Sequence, residues 1–127
     1  MNLLYEYAVI RIVPRVEREE FINVGIILFC KKSGYLNCRF HVSEEKIKCL
    51  DPKADLDQIY RNLKAFERVA RGSDENSAIA KLPAPERFRW LTATRSTIIQ
   101  CSKVHPGFAD DEAKVLNHLM QKFFGDE

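Results

Sequence analysis

The chain has 127 residues, of which 46% are hydrophobic and 30% charged, a composition typical of a globular protein that fits in one domain. Twenty Lys and Arg against eighteen Asp and Glu leave a net charge of only +2, which argues against nucleic acid as a partner. No apolar run approaches the roughly 20 residues that a membrane-spanning helix needs. The first residues, MNLLYEY, lack the basic start of a signal peptide. We therefore expect a cytoplasmic protein that does not bind membranes.

The cysteines and histidines give no sign of a metal centre. The four cysteines show no Cys-x-x-Cys spacing, so we predict reduced and mostly buried thiols rather than disulfides or metal ligands. The three histidines, His41, His105 and His118, lie far apart in the sequence. His105, in a predicted turn, is the one candidate acid or base. The sequence thus predicts no bound metal and no cofactor.

Three strands are predicted in the first third of the chain. Residues 4–13 and 35–42 alternate as strands do, and residues 21–30 are almost continuously apolar. Short links predict an antiparallel meander, and the apolar second strand is typical of a central strand with both faces covered. Asn23 and Gly25 interrupt that strand, and a glycine inside a strand often marks a bulge or a close backbone approach.

The rest of the chain is predicted to be mostly helical. In chain order we predict a short helix at residues 43–50, a long helix at 55–71, a loop at 73–85 and a short helix at 85–92. A fourth strand at 96–101, a turn at 105–107 and a final helix at 110–124 follow. The long helix is supported by apolar positions at helical spacing between an Asp55 cap and Gly72. We therefore expect a single α+β domain with a mainly antiparallel sheet of about four strands. The helices 55–71 and 110–124 are expected to pack on one face of that sheet.

Candidate binding residues lie first around the link between the first two strands. This charged link, residues 15–20, contains Arg15, Glu17 and Arg18. Beside it, Arg11 and Asn23 interrupt apolar strands. A half-buried arginine needs an acidic partner, a ligand or the rim of a groove, and an ion pair within the chain is the commonest of these outcomes.

A second group of candidates lies in residues 86–96, a basic and hydroxyl-rich run that begins at Glu86 and includes Arg87, Arg95 and Ser96. Guanidinium groups and hydroxyls suit a phosphate or a carboxylate. The alternative is that the arginines pair with acids of the charged link while the hydroxyls cap or bridge strands. The sequence carries no P-loop, dinucleotide-binding, zinc-protease or nucleophile-elbow motif. Catalytic residues therefore stay unassigned, and we favour a non-enzymatic role.

The segment YEYAVIRIVPRVEREEFINVGIILFC, followed by ERFRWLTATRSTIIQ and VHPGF, resembles the bacterial family catalogued as domain of unknown function 3037. The resemblance covers nearly the whole chain, although members often carry proline where this sequence has Thr94. It implies a small bacterial protein with no assigned activity, encoded near kinase-like proteins of the persistence-toxin type. The positions that match the family are Arg11, Pro14, Arg15, Glu17, Arg18, Glu20, Asn23, Gly25, Glu86, Arg87, Phe88, Trp90, Arg95, Ser96 and His105.

Three function hypotheses remain, each from a different class. The first is an accessory module that binds a protein partner, such as a kinase-like toxin-type protein, through the charged link and residues 86–96. The second is an enzyme or sensor that binds a phosphorylated small molecule or nucleotide through Arg11, Arg87 and Arg95. Nucleic-acid binding is third, because it needs a one-sided basic face. We favour the first because a charge-dense segment lies beside strongly apolar strands.

Overall fold

The computed structural model describes residues 2–74, 76–95 and 97–125. Within them, strands and helices follow one another as β1 (Leu3–Ile12), β2 (Ile22–Cys30), β3 (Tyr35–Phe40), α1 (Glu44–Leu50), α2 (Leu56–Arg71), α3 (Ala84–Thr92), β4 (Ile99–Cys101), β5 (His105–Ala109) and α4 (Glu112–Phe124). This is the predicted α+β class, with one more strand than expected. No helix of the described chain is both long enough and apolar enough to cross a membrane.

The strands form one antiparallel sheet in the order β3-β2-β1-β4, and β5 also pairs with β1. β4 lies along the end of β1 and β5 along its beginning, so the two short strands share one edge of the sheet. Ser102 joins them. Its backbone N–H donates to the oxygen of Val9 at 2.9 Å, and its Oγ accepts the N–H of Val9 at 2.8 Å. The Ser102 side chain therefore extends the hydrogen bonding to β1 beyond the last residue of β4.

The segment 105–107 is part of β5, so the turn predicted there is wrong. Proline and glycine usually mark turns, but an edge strand tolerates both. Pro106 lies on the edge of the sheet, and the ring of Tyr5 packs across Gly107, which has no side chain to displace it. The predicted fourth strand, 96–101, is also shorter than expected, since β4 covers only its last three residues.

A bulge interrupts the pairing of β1 with β2. The register skips Val24, so that Gly25 and Asn23 lie opposite consecutive residues of β1. A Cβ on Gly25 would lie 2.9 Å from the ring of Phe40 and closer still to the backbone oxygen of Arg39. The prediction that Gly25 marks a bulge or a close backbone approach is confirmed on both counts.

Helices cover both faces of the sheet. One face is buried under α1, α2 and α3, where Ile47, Leu63 and Phe88 join a core with the β2 residue Ile27. The other face is buried under α4, whose Leu116 and Leu119 pack against Ile26 and Leu28 of β2. Since side chains alternate along a strand, neighbouring β2 residues supply the two cores.

The expectation that helices 55–71 and 110–124 share one face is therefore wrong for the second of them. The near-continuous apolar run of β2 already indicated two covered faces. One layer of helices buries one face only, so a second layer was required. α4 supplies that layer.

Candidate functional site

An open groove of about 250 Å³ lies between α2, the end of α3 and the segment that leads into β4. Its floor is apolar and is formed by Phe66, Val69, Leu91, Ile98 and Ile99. These residues come from three elements that are distant in sequence. The fold, rather than any local motif, brings them together.

Local sequence explains the two walls of the groove. On α2, Asn62, Ala65, Phe66 and Val69 recur at spacings of three and four and therefore lie on one side of the helix. Ala65 is small, which leaves space beside the ring of Phe66. On the other side α3 ends at Ala93, whose backbone is extended, and the chain turns there toward β4.

Trp90 and Arg95 form the rim of this groove. Trp90 is 39% exposed, although it is the largest apolar side chain of α3. The guanidinium carbon of Arg95 lies 3.8 Å from the centre of the Trp90 ring, a cation–π stack. An N–H of Arg95 also donates to the backbone oxygen of Trp90. The stack holds a positive charge at the mouth of an apolar groove.

The arginines proposed to bind one ligand contact different parts of the molecule. Arg87 donates to the backbone oxygen of Leu82 at 2.6 Å and lies beside the end of α2. Arg11 lies over the ring of Phe21, with 4.0 Å between the guanidinium carbon and the ring centre. Arg95 alone of the three is among the described residues that line the groove.

Arg11 and Asn23 lie directly opposite each other on β1 and β2. Arg11 Nε and Asn23 Oδ1 are buried and make no hydrogen bond with any described atom. Arg11 forms no ion pair with a described residue either, so the expected acidic partner is replaced by the ring of Phe21. Arg11 and Asn23 are therefore two adjacent polar residues within an otherwise apolar part of the sheet.

Two arginines of the charged link are paired with carboxylates of the same chain. Arg15 lies 3.9 Å from the carboxylate of Asp51 at the end of α1, and Arg18 lies 3.7 Å from that of Glu20. Both arginines and Glu17 are exposed. The Arg18–Glu20 pair is exposed on both sides, and a pair of this kind contributes little to stability, so it leaves that part of the link open to other contacts.

The remaining candidates are spread over the surface. Glu86 is exposed in the first turn of α3. His105 begins β5, and the centre of its exposed ring lies 5.3 Å from that of Tyr7. Ser96 lies outside the described residues. The structure thus brings Trp90 and Arg95 together at the groove but places Glu86 and His105 elsewhere.

The four cysteines differ in burial. All four cysteines are free, and Cys49 is the exposed exception to the predicted burial. Burial raises the pKa of Cys38 to about 12 and that of Cys101 to about 12, so neither is a thiolate at neutral pH. Among the described residues, no three His, Cys, Asp or Glu side chains are grouped closely enough to hold a metal ion.

The sheet edges are protected against pairing with another strand. On β3 the N–H of Cys38 donates to the side chain of Asn37 at 2.9 Å. On β4 the hydroxyl of Thr97 donates to the backbone oxygen of Ile99 at 2.7 Å. On β5, Pro106 has no N–H to offer. Side chains and a proline therefore block positions to which a partner strand would bind.

Sequence reasoning included the rim of the groove but missed its floor. Trp90 and Arg95 lie in residues 86–96, which the sequence singles out. Phe66 recurs at helical spacing in the apolar stripe of α2 and is buried in the core, and nothing local shows that it also lines a groove beside α3. The one available signal was Ala65, a small residue beside that stripe.

The fold and the groove together define a small α+β protein whose one described sheet is covered on both faces, with an aromatic and cationic rim on one side. A family model described as Protein of unknown function (DUF3037) matches residues 7–124. The chain belongs to this family, as the resemblance in its sequence indicated. Comparisons with the curated proteins and with the solved structures gave no match.

Proposed function

We propose that this protein is a non-enzymatic module that binds a segment of a partner protein in the groove between α2, α3 and β4. The exposed Trp90–Arg95 stack at the rim carries the proposal. Tryptophan and arginine are enriched among the few residues that dominate binding energy at protein interfaces. A groove with an apolar lining and a few polar groups is also typical of binding sites.

The size of the groove favours side chains of a protein over a nucleotide. Its volume of about 250 Å³ is below the range of roughly 300–1,000 Å³ that small-molecule sites occupy. An apolar cavity of about 150 Å³ holds a benzene molecule. One or two apolar side chains of a partner would therefore fill the groove, whereas a nucleotide would extend well beyond it.

The arrangement of the arginines gives less support to the phosphate hypothesis. A phosphate group is bound best by several donors that converge on it. Here Arg87 is engaged by the carbonyl of Leu82, and Arg11 lies over Phe21. Arg95 would have to bind a phosphate without either of them.

Selection of random peptides against the full chain tests the proposal. Trp90→Ala serves as the counter-selection, because it removes the exposed platform. Phe108→Ala is the matched control, since Phe108 is an aromatic residue of β5 that is 71% exposed and does not line the groove. We expect peptides that bind the wild type and the Phe108 variant but lose affinity at least tenfold for the Trp90 variant. If no selected peptide distinguishes Trp90→Ala from the wild type, the proposal is wrong.

A further inference from the structure

The chemistry of the groove also indicates what its partner segment contains. We infer that the segment carries a large apolar side chain next to a carboxylate, with the apolar group on the groove floor and the carboxylate bound to Arg95. This inference rests on the proposed function and goes beyond it, because it specifies the charge of the partner segment and the kind of side chain that it places in the groove.

Charge is the first step of the argument. Among the described residues that line the groove, Arg95 is the only charged one, and Asn62 and Thr97 are the polar ones. Arg15 and Arg18 on the charged link each have a carboxylate within 4 Å. Arg95 forms no ion pair with a described residue. Among the described residues, the lining of the groove therefore carries one positive charge and no negative one.

Geometry is the second step. Stacking on Trp90 fixes the plane of the Arg95 guanidinium group. One N–H donates to the Trp90 carbonyl, and arginine has five such donors, so an edge of the guanidinium remains for two parallel hydrogen bonds. A carboxylate matches that pair of donors. Because the stack holds the group in place, binding costs less side-chain entropy than it would for a mobile arginine.

The size of the charge selects a carboxylate over a phosphate. A carboxylate carries one negative charge, which Arg95 balances. A phosphate monoester carries about −1.5 to −2 at neutral pH, so Arg95 alone would leave part of that charge unbalanced.

The apolar anchor follows from the floor of the groove. Phe66, Val69, Leu91, Ile98 and Ile99 offer carbon atoms and almost no hydrogen-bonding groups. The volume of about 250 Å³ accepts an aromatic or large aliphatic side chain with room for part of a neighbour. The outer carbonyl of β4 at Ile99 is already bonded by Thr97. The segment is therefore recognised through its side chains and not as an added strand.

Charge reversal on the selected peptides tests the inference. In peptides that depend on Trp90, we expect an Asp or Glu beside the apolar anchor, and replacing it with Ala should weaken binding about tenfold. Arg95→Ala should cause the same loss for the acidic peptide and little further loss for its Ala form. Arg95→Glu should reject the acidic peptide and bind its Lys version better than the wild type does. Arg89→Ala is the control, because Arg89 is an exposed arginine next to Trp90 on α3 but does not line the groove.

Further measurements in the same experiment distinguish the possible sources of the carboxylate. Peptides with a free or an amidated C-terminus distinguish a terminal carboxylate from an acidic side chain, and phenylacetate tests a free apolar acid. Thermal unfolding of Arg95→Ala and Arg95→Lys controls for folding defects. Trp90-dependent peptides that lack an acid and bind Arg95→Ala as well as the wild type would overturn the inference and leave the proposed function standing. Absence of any Trp90-dependent peptide would overturn both.

Discussion

Two glycines allow a direct comparison of what an added methyl group costs at single residues. At Gly25 a Cβ would meet the backbone oxygen of Arg39, whereas at Gly34 the space is open but φ is +74°. We predict that Gly25→Ala lowers the free energy of unfolding by about 3 kcal/mol, because the backbone oxygen of Arg39 cannot move aside without disturbing the pairing of β3 with β2. Gly34→Ala should cost about 1 kcal/mol through its left-handed conformation alone. Urea denaturation checks both values, and equal losses would mean that β2 and β3 can separate locally.

Single positions also show how far sequence reasoning reaches. The sequence marks Arg11 and Asn23 as unusual, because polar residues interrupt apolar strands there. It does not show what they contact. Because of the bulge at Gly25, Asn23 lies opposite Arg11. The guanidinium group of Arg11 lies over the ring of Phe21 and not beside an acidic side chain of the described residues. Partner identity depends on register, which local sequence does not encode.

Ser102 holds the β4–β5 edge to β1. Its Oγ accepts the buried N–H of Val9 at 2.8 Å. We predict that Ser102→Ala destabilises the protein by about 1–3 kcal/mol, because that N–H is then buried without an acceptor. Hydrogen exchange of the Val9 amide should also become faster. Ser73→Ala is the control, since the exposed hydroxyl of Ser73 donates to Arg68 over 3.5 Å, and a change beyond about 0.5 kcal/mol is not expected there. Unchanged exchange at Val9 would contradict the role assigned to Ser102.

The ends of helices could be predicted from the local sequence of each helix, whereas the pairing partners of the strands could not. Asp55 accepts a hydrogen bond from the N–H of Gln58 at 3.1 Å, and Gly72 ends α2 with a φ of 66°, as the sequence predicts. Caps of this kind depend on residues within one turn. Pro106 and Gly107 give local turn signals as well, yet their strand exists because β1 offers them a free edge. Pairing across a sheet is not local and overrides them.

At the scale of the whole molecule, composition and periodicity predicted the α+β class but not the groove. Its walls come from positions as far apart as Asn62 and Ile99, and the depth depends on how α3 ends relative to α2. Apolar spacing marks which side of a helix is buried, but not whether the neighbouring element covers all of it. For the same reason α4 was predicted on the wrong face, although β2 indicated that a cover was needed on both.

Burial of the thiols gives the folded molecule a distinctive reactivity. Cys30 and Cys38 are buried and Cys101 is half-buried, whereas Cys49 is exposed on α1. We predict that a disulfide reagent modifies Cys49 rapidly and the other three cysteines slowly, because their side chains are less accessible than that of Cys49. Cys49→Ser should remove the fast phase. A fast phase that persists in that variant would show that a core thiol is reached in the folded state.

The same burial predicts how stability depends on pH. The pKa of Cys38 and that of Cys101 rise from an ordinary value near 9 to about 12 in the folded chain. Well below pH 9 both thiols are neutral in either state, so they add no pH dependence there. Between about pH 9 and 12 the unfolded chain loses these protons first, and unfolding becomes more favourable as the pH rises. Urea midpoints across that range should fall more steeply for the wild type than for Cys38→Val, because only the wild type has the Cys38 thiol. Parallel curves would mean that Cys38 ionises as readily in the fold as outside it.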